Sequence, residues 1–230
     1  MAMRAHSLHS WDLCPKKAIE IQQAMALRVI QGPAMRRFSL VAAADVSYER
    51  SNRKMYGVVV VCKYPHCQIV EHTTAIEEER FPYVPGLLSF RESPVLLKAF
   101  EGLDRVPDVI LFDGQGIAHP RRLGIASHVG LVLGCPTIGC AKSRLVGQYR
   151  EPGKTKNCQT RLLDGNETIG KVLRTRNGKK PIVVSMGHGI DLESAVSVTR
   201  KCVTRYRLPD PIRMAHQLAN RLRKEDQTTS

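Results

Sequence analysis

The stretch Val109-Ile110-Leu111-Phe112-Asp113-Gly114-Gln115-Gly116 joins an apolar run to a carboxylate and two glycines. Four consecutive apolar residues bounded by a turn signal predict a strand that is buried on both faces. The strand ends on Asp113, and the glycines allow the backbone to approach a ligand closely. Metal and phosphate sites use this arrangement, but an ordinary strand-to-helix turn with a solvated Asp has the same pattern. The stretch predicts a functional site only if other acidic residues converge on Asp113.

The residues before this strand predict a helix followed by an antiparallel meander. Apolar residues at helical spacing after Pro15 indicate an amino-terminal helix. Three strand-like runs follow, at Leu40–Tyr48, Tyr56–Cys62 and Gln68–Thr74. Neighbouring strands along the chain usually pair, which favours an antiparallel meander. Ser93 and Pro94 are typical of an N-cap and a first helical residue, so we expect a second helix there, with Glu92 just ahead of it.

The residues after the strand predict alternating helices and strands. We expect helices at Leu123–Leu133 and Pro211–Lys224, and a third that Asp191 caps and that runs to about Thr204. We expect strands at Thr137–Cys140, Arg161–Leu163, Thr168–Arg174 and Ile182–Met186. The βαβα alternation around Asp113 favours parallel pairing. Three antiparallel strands, a helix and a parallel strand bearing an acid follow the order of the α/β ribonuclease H-like fold, which has a mixed central sheet flanked by helices. We expect residues 1–230 to form a single domain of this kind.

In this fold order, the first and fourth strands lie side by side at the centre of the sheet. Asp45, in the first strand, would then lie next to Asp113. Two close carboxylates in a basic protein repel each other unless a cation lies between them, so the pair predicts a divalent metal ion. Hard oxygen ligands select Mg²⁺ or Mn²⁺ over zinc. Glu92 is a candidate third ligand and His216 a fourth, although a surface histidine on the last helix explains His216 about equally well.

The charge of the chain indicates a polyanionic partner. The 35 Lys and Arg residues exceed the 21 Asp and Glu residues by 14, and the sequence pI is about 9.8. Residues 141–180 contain eleven basic and three acidic residues, a surplus of eight positive charges. Nucleic acid is therefore the expected partner, although a solvated basic face has the same composition. Aromatic residues are only 5% of the chain, too few for a stacking platform along single strands.

Seven cysteines, an odd number, indicate free thiols in a reducing compartment, and we expect a cytoplasmic protein. The pairs Cys62/Cys67 and Cys135/Cys140 have four intervening residues rather than the two that usually begin a structural zinc site, so zinc is disfavoured. No apolar run is long enough to cross a bilayer. We expect a monomer with no obligate protein partner.

Five segments of the chain together resemble the endonuclease V family, in order, from about residue 40 to residue 217. The segments are Asp45-Val46-Ser47-Tyr48, Pro82-Tyr83-Val84-Pro85-Gly86-Leu87-Leu88-Ser89-Phe90-Arg91-Glu92, Asp113-Gly114-Gln115-Gly116-Ile117-Ala118-His119-Pro120, Gly139-Cys140-Ala141-Lys142-Ser143 and Leu208-Pro209-Asp210-Pro211-Ile212-Arg213-Met214-Ala215-His216. Such an ordered series is far more specific than any one of its motifs.

The resemblance implies a metal-dependent endonuclease that acts on deaminated adenine, as deoxyinosine in DNA or inosine in RNA. Members of the family cut the second phosphodiester bond on the 3′ side of the lesion, and they leave 3′-hydroxyl and 5′-phosphate ends. By the match, Asp45, Glu92 and Asp113 are metal-site residues, and His216 stands where the family has Asp or His. Lys142 matches a lysine of the active centre, where it would orient or stabilise the phosphate, although it could equally be one more phosphate contact.

The resemblance also assigns a substrate-binding role to the proline-rich segment. Pro82 and Pro85 stiffen the turn around Tyr83 and Val84, so an exposed aromatic could wedge into a duplex at little cost in ordering entropy. A displaced base would need a pocket, and backbone groups of Gly86 and Leu88, with close approach at Gly114 and Gly116, could form one. His119 could contact the nucleic-acid backbone or serve a structural role. An ordinary surface turn is the alternative for the proline-rich segment.

Two positions depart from the family pattern: Ala43 stands where many relatives have Gly, and Gln115 where they have His or Asn. Two other functions remain open at this point. One is a ribonuclease H-like nuclease of other specificity, including one that prefers inosine in RNA. A carboxylate site without a lesion pocket would cut undamaged hybrids or junctions. A non-catalytic nucleic-acid-binding protein would need only the basic surface, but it would gain nothing from acids aimed at phosphate.

Overall fold

A computed structural model describes residues 3–229 of the chain. The five helices are α1 (Pro15–Ala26), α2 (Leu88–Glu101), α3 (Ile125–Leu133), α4 (Leu192–Lys201) and α5 (Asp210–Thr229). The eight strands are β1 (Leu40–Tyr48), β2 (Lys54–Lys63), β3 (Gln68–Glu78), β4 (Val109–Phe112), β5 (Thr137–Ala141), β6 (Gln159–Asp164), β7 (Glu167–Leu173) and β8 (Ile182–Met186).

All eight strands form one mixed sheet in the order β3-β2-β1-β4-β5-β8-β7-β6. β1, β4 and β5 pair in parallel, and every other neighbouring pair is antiparallel. The meander β1-β2-β3 and the central position of β1 beside β4 are both confirmed. This is the ribonuclease H-like arrangement, with the β6–β7 hairpin and β8 extending the sheet beyond β5.

The alternation of side chains along the central strands divides the core into two layers. One set of residues, which includes Ala42, Ala44, Ile110 and Phe112, packs with α2 and α3. The intervening residues, which include Val41, Ala43, Val109 and Leu111, pack with α4 and α5. Because successive residues of a strand point to opposite faces, near-continuous apolar runs are needed in strands that are covered on both sides. This explains the apolar run before Asp113.

Helix α2 begins earlier than its local sequence signals indicate. It starts at Leu88 and contains Pro94, so the prediction that Ser93 caps the helix and that Glu92 precedes it is wrong. Burial of Ser89 and Phe90 extends the helix toward its amino terminus, because their packing outweighs the one backbone hydrogen bond that Pro94 cannot donate. Glu92 therefore lies in the second turn of α2.

Other predicted boundaries shift by a few residues. β3 continues to Glu78 because its last residues pair with the start of β2. α4 ends at Lys201 rather than Thr204, and α5 continues beyond Lys224. The predicted cap of α4 is confirmed, since the Asp191 side chain accepts a hydrogen bond of 2.9 Å from the Ser194 amide. Within residues 3–229, no helix combines the length and the apolar character that crossing a membrane requires.

Candidate active centre and base cavity

The register of two parallel strands brings Asp45 and Asp113 together. Ala44 of β1 is the partner of Phe112 of β4, so the two following residues lie at the same edge of the sheet. Their side chains are 17% and 14% exposed. Burial raises the pKa of Asp45, and the negative charge of Asp113 raises it further, against the opposing effects of His216 and Lys142. The predicted convergence of these two acids is confirmed.

Glu92 faces the same point from helix α2. Burial raises the pKa of Glu92 to about 8, and the negative charges of Asp45 and Asp113 contribute to this increase. The three carboxyl groups come from β1, from α2 and from the residue directly after β4, so the core of the fold positions the acidic cluster. Packing of α2 against the sheet is what places Glu92 there.

The side chains of Lys142 and His216 border the acidic cluster. The Lys142 ammonium lies 2.5 Å from Oδ2 of Asp113, and Nδ1 of His216 lies 2.8 Å from Oδ2 of Asp45. The Asn220 side chain contacts the other ring nitrogen of His216 at 3.0 Å. The structure thus gathers in one place all five residues for which the sequence predicts a catalytic role.

The donor set of this cluster suits a hard divalent cation. Among residues 3–229, no three His, Cys, Asp or Glu side chains are grouped closely enough to hold one ion as they stand. Asp45 and Asp113 are instead engaged with His216 and Lys142. The available ligands are nevertheless carboxylate oxygens, and the charge of Asp113 raises the pKa of both Asp45 and Glu92, a repulsion that a dication would relieve. The residues therefore fit Mg²⁺ or Mn²⁺ by their chemistry.

A cavity of about 300 Å³ adjoins the acidic cluster, and we call it the Gly86 cavity. The predicted site residues that line it are Tyr83, Val84, Gly86, Leu88, Asp113, Gly114, His119 and Lys142. Pro82 and Pro85 are exposed outside this lining. Gly116 also lies outside it and packs against β8, where an added Cβ would come within 2.0 Å of the Met186 carbonyl oxygen. The structure thus places Gly114, but not Gly116, beside the space that a base would occupy.

The Gly86 carbonyl is fixed by three donors. Gln22 Nε2, His119 Nε2 and Arg121 Nη2 lie 3.0, 3.1 and 3.0 Å from its oxygen. Gly86 itself has φ of +80°, a conformation that glycine adopts without strain. Burial lowers the pKa of His119 to about 4, so the ring is neutral and its Nε2 can donate to the carbonyl while Nδ1 accepts from the Arg121 amide. His119 thus has the structural role that was one of its two predicted alternatives, at the wall of the cavity.

Comparisons with known proteins agree with this geometry. The sequence profile of Endonuclease V matches residues 23–217. The endonuclease V of Dehalococcoides mccartyi is 48% identical over 222 residues, which cover 96% of this chain and 100% of that protein. The chain belongs to the endonuclease V family. It is accordingly an enzyme, a nuclease of the hydrolase class.

Solved structures of endonuclease V have the same fold as this chain. The crystal structure of the Streptomyces avermitilis protein gives a TM-score of 0.89 at 37% identity, and the match covers 99% of this chain and 100% of that one. A Ciona intestinalis endonuclease V, in complex with a 24mer DNA containing an inosine followed by a ribo-adenosine, gives a TM-score of 0.81 at 29% identity. That match covers 91% of this chain and 98% of the Ciona chain.

In this member of the endonuclease V family, Tyr83 projects from the rim of the Gly86 cavity. It is 65% exposed, as expected for the predicted wedge. The Arg91 guanidinium lies 5.7 Å from its ring centroid and also forms an ion pair with Glu79 at 2.7 Å. Arg91 of α2 therefore lies beside the Tyr83 ring, while most of the ring remains accessible.

Sequence reasoning missed several residues of the cavity. Gln22 lies on the buried face of α1, and its side chain reaches the carbonyls of Gly86 and Leu123. A polar residue within an otherwise apolar helix stripe was the available signal. Gln115, which departs from the family pattern, donates a 2.9 Å hydrogen bond to the Ser143 carbonyl and so connects the Asp113 turn to the loop after β5.

The basic surface is smaller than the sequence predicts, because some of its residues are committed to structure. Arg174 is buried and pairs with Glu151 at 2.6 Å, and Lys171 pairs with Glu193 at 2.5 Å. The exposed basic residues of this region, apart from Lys142, are Arg144, Arg150, Lys154, Lys156, Arg161, Arg176, Lys179 and Lys180. They remain available for phosphate contacts.

Proposed function

We propose that this chain is a metal-dependent endonuclease that recognises deoxyinosine in DNA and hydrolyses the second phosphodiester bond on its 3′ side, leaving 3′-hydroxyl and 5′-phosphate ends. The observation that carries the proposal is the junction of the Gly86 cavity with the acidic cluster, since Asp113 and Lys142 belong to both. A base held in the cavity would have its own strand passing directly over the carboxylates.

Asp45, Glu92 and Asp113, with His216 beside Asp45, are the residues that would hold Mg²⁺, for which Mn²⁺ can substitute. When bound, such an ion supplies activation of water and neutralisation of charge on the leaving oxygen. Lys142 places a positive charge at the edge of the cluster, where it can orient the attacked phosphate. His216 holds the Asp45 carboxylate in place through Nδ1.

The Gly86 cavity can distinguish hypoxanthine from adenine by hydrogen bonding. Deamination replaces the exocyclic amine of adenine, a donor, with a carbonyl acceptor, and it places a proton on the neighbouring ring nitrogen. Gly86, Leu88 and Gly114 lie on the cavity wall and can present backbone groups to the base, while the Gly86 turn itself is held by the three donors to its carbonyl. A base whose donors and acceptors do not match these backbone groups leaves them without hydrogen bonds, which costs about 1 to 3 kcal/mol of binding free energy for each group. Tyr83 would fill the space that the extruded base leaves in the duplex.

The likeness to the Ciona protein favours a second candidate substrate, inosine in RNA. The DNA in that complex has a ribonucleotide directly after the inosine. A ribose at this position is therefore compatible with binding in that relative, and one or two contacts to a 2′-hydroxyl would suffice to prefer it. An endoribonuclease specific for inosine would use the same base cavity and the same acidic cluster.

The proposal is tested with end-labelled DNA and RNA oligonucleotides that contain one inosine, each incubated with purified protein and Mg²⁺. Matched oligonucleotides with adenosine in its place serve as controls. We expect a cut at the second phosphodiester bond on the 3′ side of inosine, no cut in the controls, and loss of cleavage in EDTA. Equal cleavage of both sets, or cleavage that persists in EDTA, would overturn the proposal.

A further inference from the structure

A second cavity opens on the other side of Lys142, and we call it the Tyr206 cavity. Its volume is about 370 Å³, and it shares Asp113 and Lys142 with the Gly86 cavity. Its remaining wall comes from the segment between α4 and α5 and from the first turns of α5. The two cavities therefore meet at the Asp113–Lys142 pair, which also belongs to the acidic cluster.

The wall of the Tyr206 cavity combines a flat aromatic surface with cations. Tyr206 is 42% exposed, and the Arg213 guanidinium lies 3.1 Å from its ring centroid. Neither Arg213 nor Arg207 forms an ion pair with an acidic side chain among residues 3–229. Asp113, which pairs with Lys142, is the one acidic residue of the wall within the described part of the chain. A cavity of this composition suits a base above a phosphate.

Arg207 joins this cavity to the loop that carries the catalytic lysine. Its Nη2 donates to the Lys142 carbonyl and, at 2.7 Å, to the Pro181 carbonyl. Its Nε has no hydrogen-bond partner among residues 3–229, and burial lowers its pKa. A partly desolvated guanidinium without a carboxylate partner makes this side of the cavity strongly attractive to an anion.

We propose that the Tyr206 cavity binds the nucleotide immediately 3′ to the cleaved bond, with its base stacked on the face of Tyr206 opposite Arg213 and its 5′-phosphate facing Lys142. The assignment rests on the proposed function, which places the lesion in the Gly86 cavity and the cut on the 3′ side. A strand that leaves the Gly86 cavity in the 3′ direction must pass the Asp113–Lys142 pair and then enter the Tyr206 cavity. The same site retains the new 5′-phosphate end after hydrolysis.

The decisive experiment measures binding in EDTA, so that no cleavage intervenes. The probe is an inosine oligonucleotide with 2-aminopurine as the second nucleotide on the 3′ side, because the fluorescence of this base falls when it stacks on an aromatic ring. We expect quenching with the wild-type protein and with Tyr206→Phe, and little quenching with Tyr206→Ala. Arg221→Ala, a truncation on α5 outside the lining of the cavity, serves as the control for an unrelated substitution, and it should quench as the wild type does.

Kinetics with Mg²⁺ give an independent readout. Removing the base of the second nucleotide, by an abasic substitution, should lower wild-type kcat/KM by about fivefold or more, the usual value of one base–aromatic stack. Tyr206→Ala should lower kcat/KM by a similar factor on the intact substrate. On the abasic substrate, the variant and the wild type should have the same kcat/KM. Independent, multiplicative losses would overturn the assignment, as would quenching that Tyr206→Ala leaves unchanged. Inosine DNA left uncut by the wild type would instead overturn the proposed function, so the two failures are distinguishable.

Discussion

Lys142 Nζ lies 2.5 Å from Oδ2 of Asp113, and both side chains border the Gly86 cavity and the Tyr206 cavity at once. The acid comes from the end of β4, and the lysine comes directly after β5, its parallel neighbour. In open α/β sheets, ligands bind beyond the carboxyl ends of the strands. The pair therefore lies where the fold itself presents groups to a strand that runs between the two cavities.

Replacement of Asp113 by Asn should separate catalysis from binding. We expect Asp113→Asn to lower the single-turnover cleavage rate by at least about 100-fold, because one carboxylate of the cluster is lost. Affinity for inosine DNA should stay within about twofold, because the exposed basic residues supply most of it. Gel-shift titration in EDTA measures the affinity, and quench-flow with Mg²⁺ measures the rate.

Asp164→Asn is the matched control for Asp113→Asn. Asp164 lies at the end of β6, away from the acidic cluster, and pairs with Arg122 at 2.8 Å. This variant should cleave at the wild-type rate. Turnover by Asp113→Asn equal to that of the control would contradict the assignment of the active centre.

Tyr83 should contribute to discrimination more than to general affinity. Tyr83→Ala removes the exposed ring that would occupy the gap left by an extruded base, so binding of inosine DNA should weaken by about fivefold or more. Binding of undamaged duplex depends on phosphate contacts and should hardly change. Fluorescence anisotropy with both duplexes measures the ratio of the affinity for inosine DNA to the affinity for undamaged duplex. Tyr83→Phe keeps the ring and should keep the wild-type ratio. Equal losses on the two duplexes would exclude the wedge.

The convergence of Asp45 and Asp113 could be predicted from the sequence because both acids stand in apolar strands whose order limits their neighbours. The start of α2 could not be predicted from the sequence. The local signal at Ser93-Pro94 favours a later start, burial of Phe90 favours an earlier one, and only tertiary packing decides between them. Gln22 is a similar case. Its carbonyl partners, Gly86 and Leu123, are 64 and 101 residues away, and no local pattern indicates such contacts.

Gln22 should act as a positioning residue for the Gly86 carbonyl. Gln22→Leu leaves the buried Leu123 carbonyl without this donor and loosens the Gly86 turn, at a cost of about 1 to 3 kcal/mol in the free energy of unfolding. The change should raise KM for inosine DNA more than it lowers kcat, since the acidic cluster is untouched. Urea denaturation and steady-state kinetics measure the two effects.

Gln23→Leu provides the control for Gln22→Leu, because Gln23 is the exposed neighbour on the same helix. It should leave both KM and the free energy of unfolding unchanged. A Gln22→Leu protein that is destabilised but retains the wild-type KM would show that Gln22 serves only the fold.

His128 should make the protein less stable in mild acid. It is fully buried, with Nδ1 3.0 Å from Oγ of Ser89 and Nε2 2.7 Å from Nε2 of His9, and only one proton can lie between the two Nε2 atoms. Burial, together with His9, lowers the pKa of His128 to about 3 from an ordinary value of 6.5. The unfolded chain therefore binds a proton on this residue between pH 6.5 and 3 that the folded chain does not. Stability from this residue is complete above pH 6.5 and decreases as the pH falls through that window.

The expected loss between pH 7 and pH 5 is about 2 kcal/mol in the free energy of unfolding from His128 alone. Urea denaturation at the two pH values measures it for the wild type and for His128→Phe, which has no titratable group at this position. The free energy of unfolding should differ less between pH 7 and pH 5 in His128→Phe than in the wild type, by about that amount. The control His72→Gln, which alters an exposed histidine of β3, should show the wild-type difference. If the pH dependence of His128→Phe matches that of the wild type, the acid sensitivity arises elsewhere, because the buried imidazole would then take up no proton on unfolding.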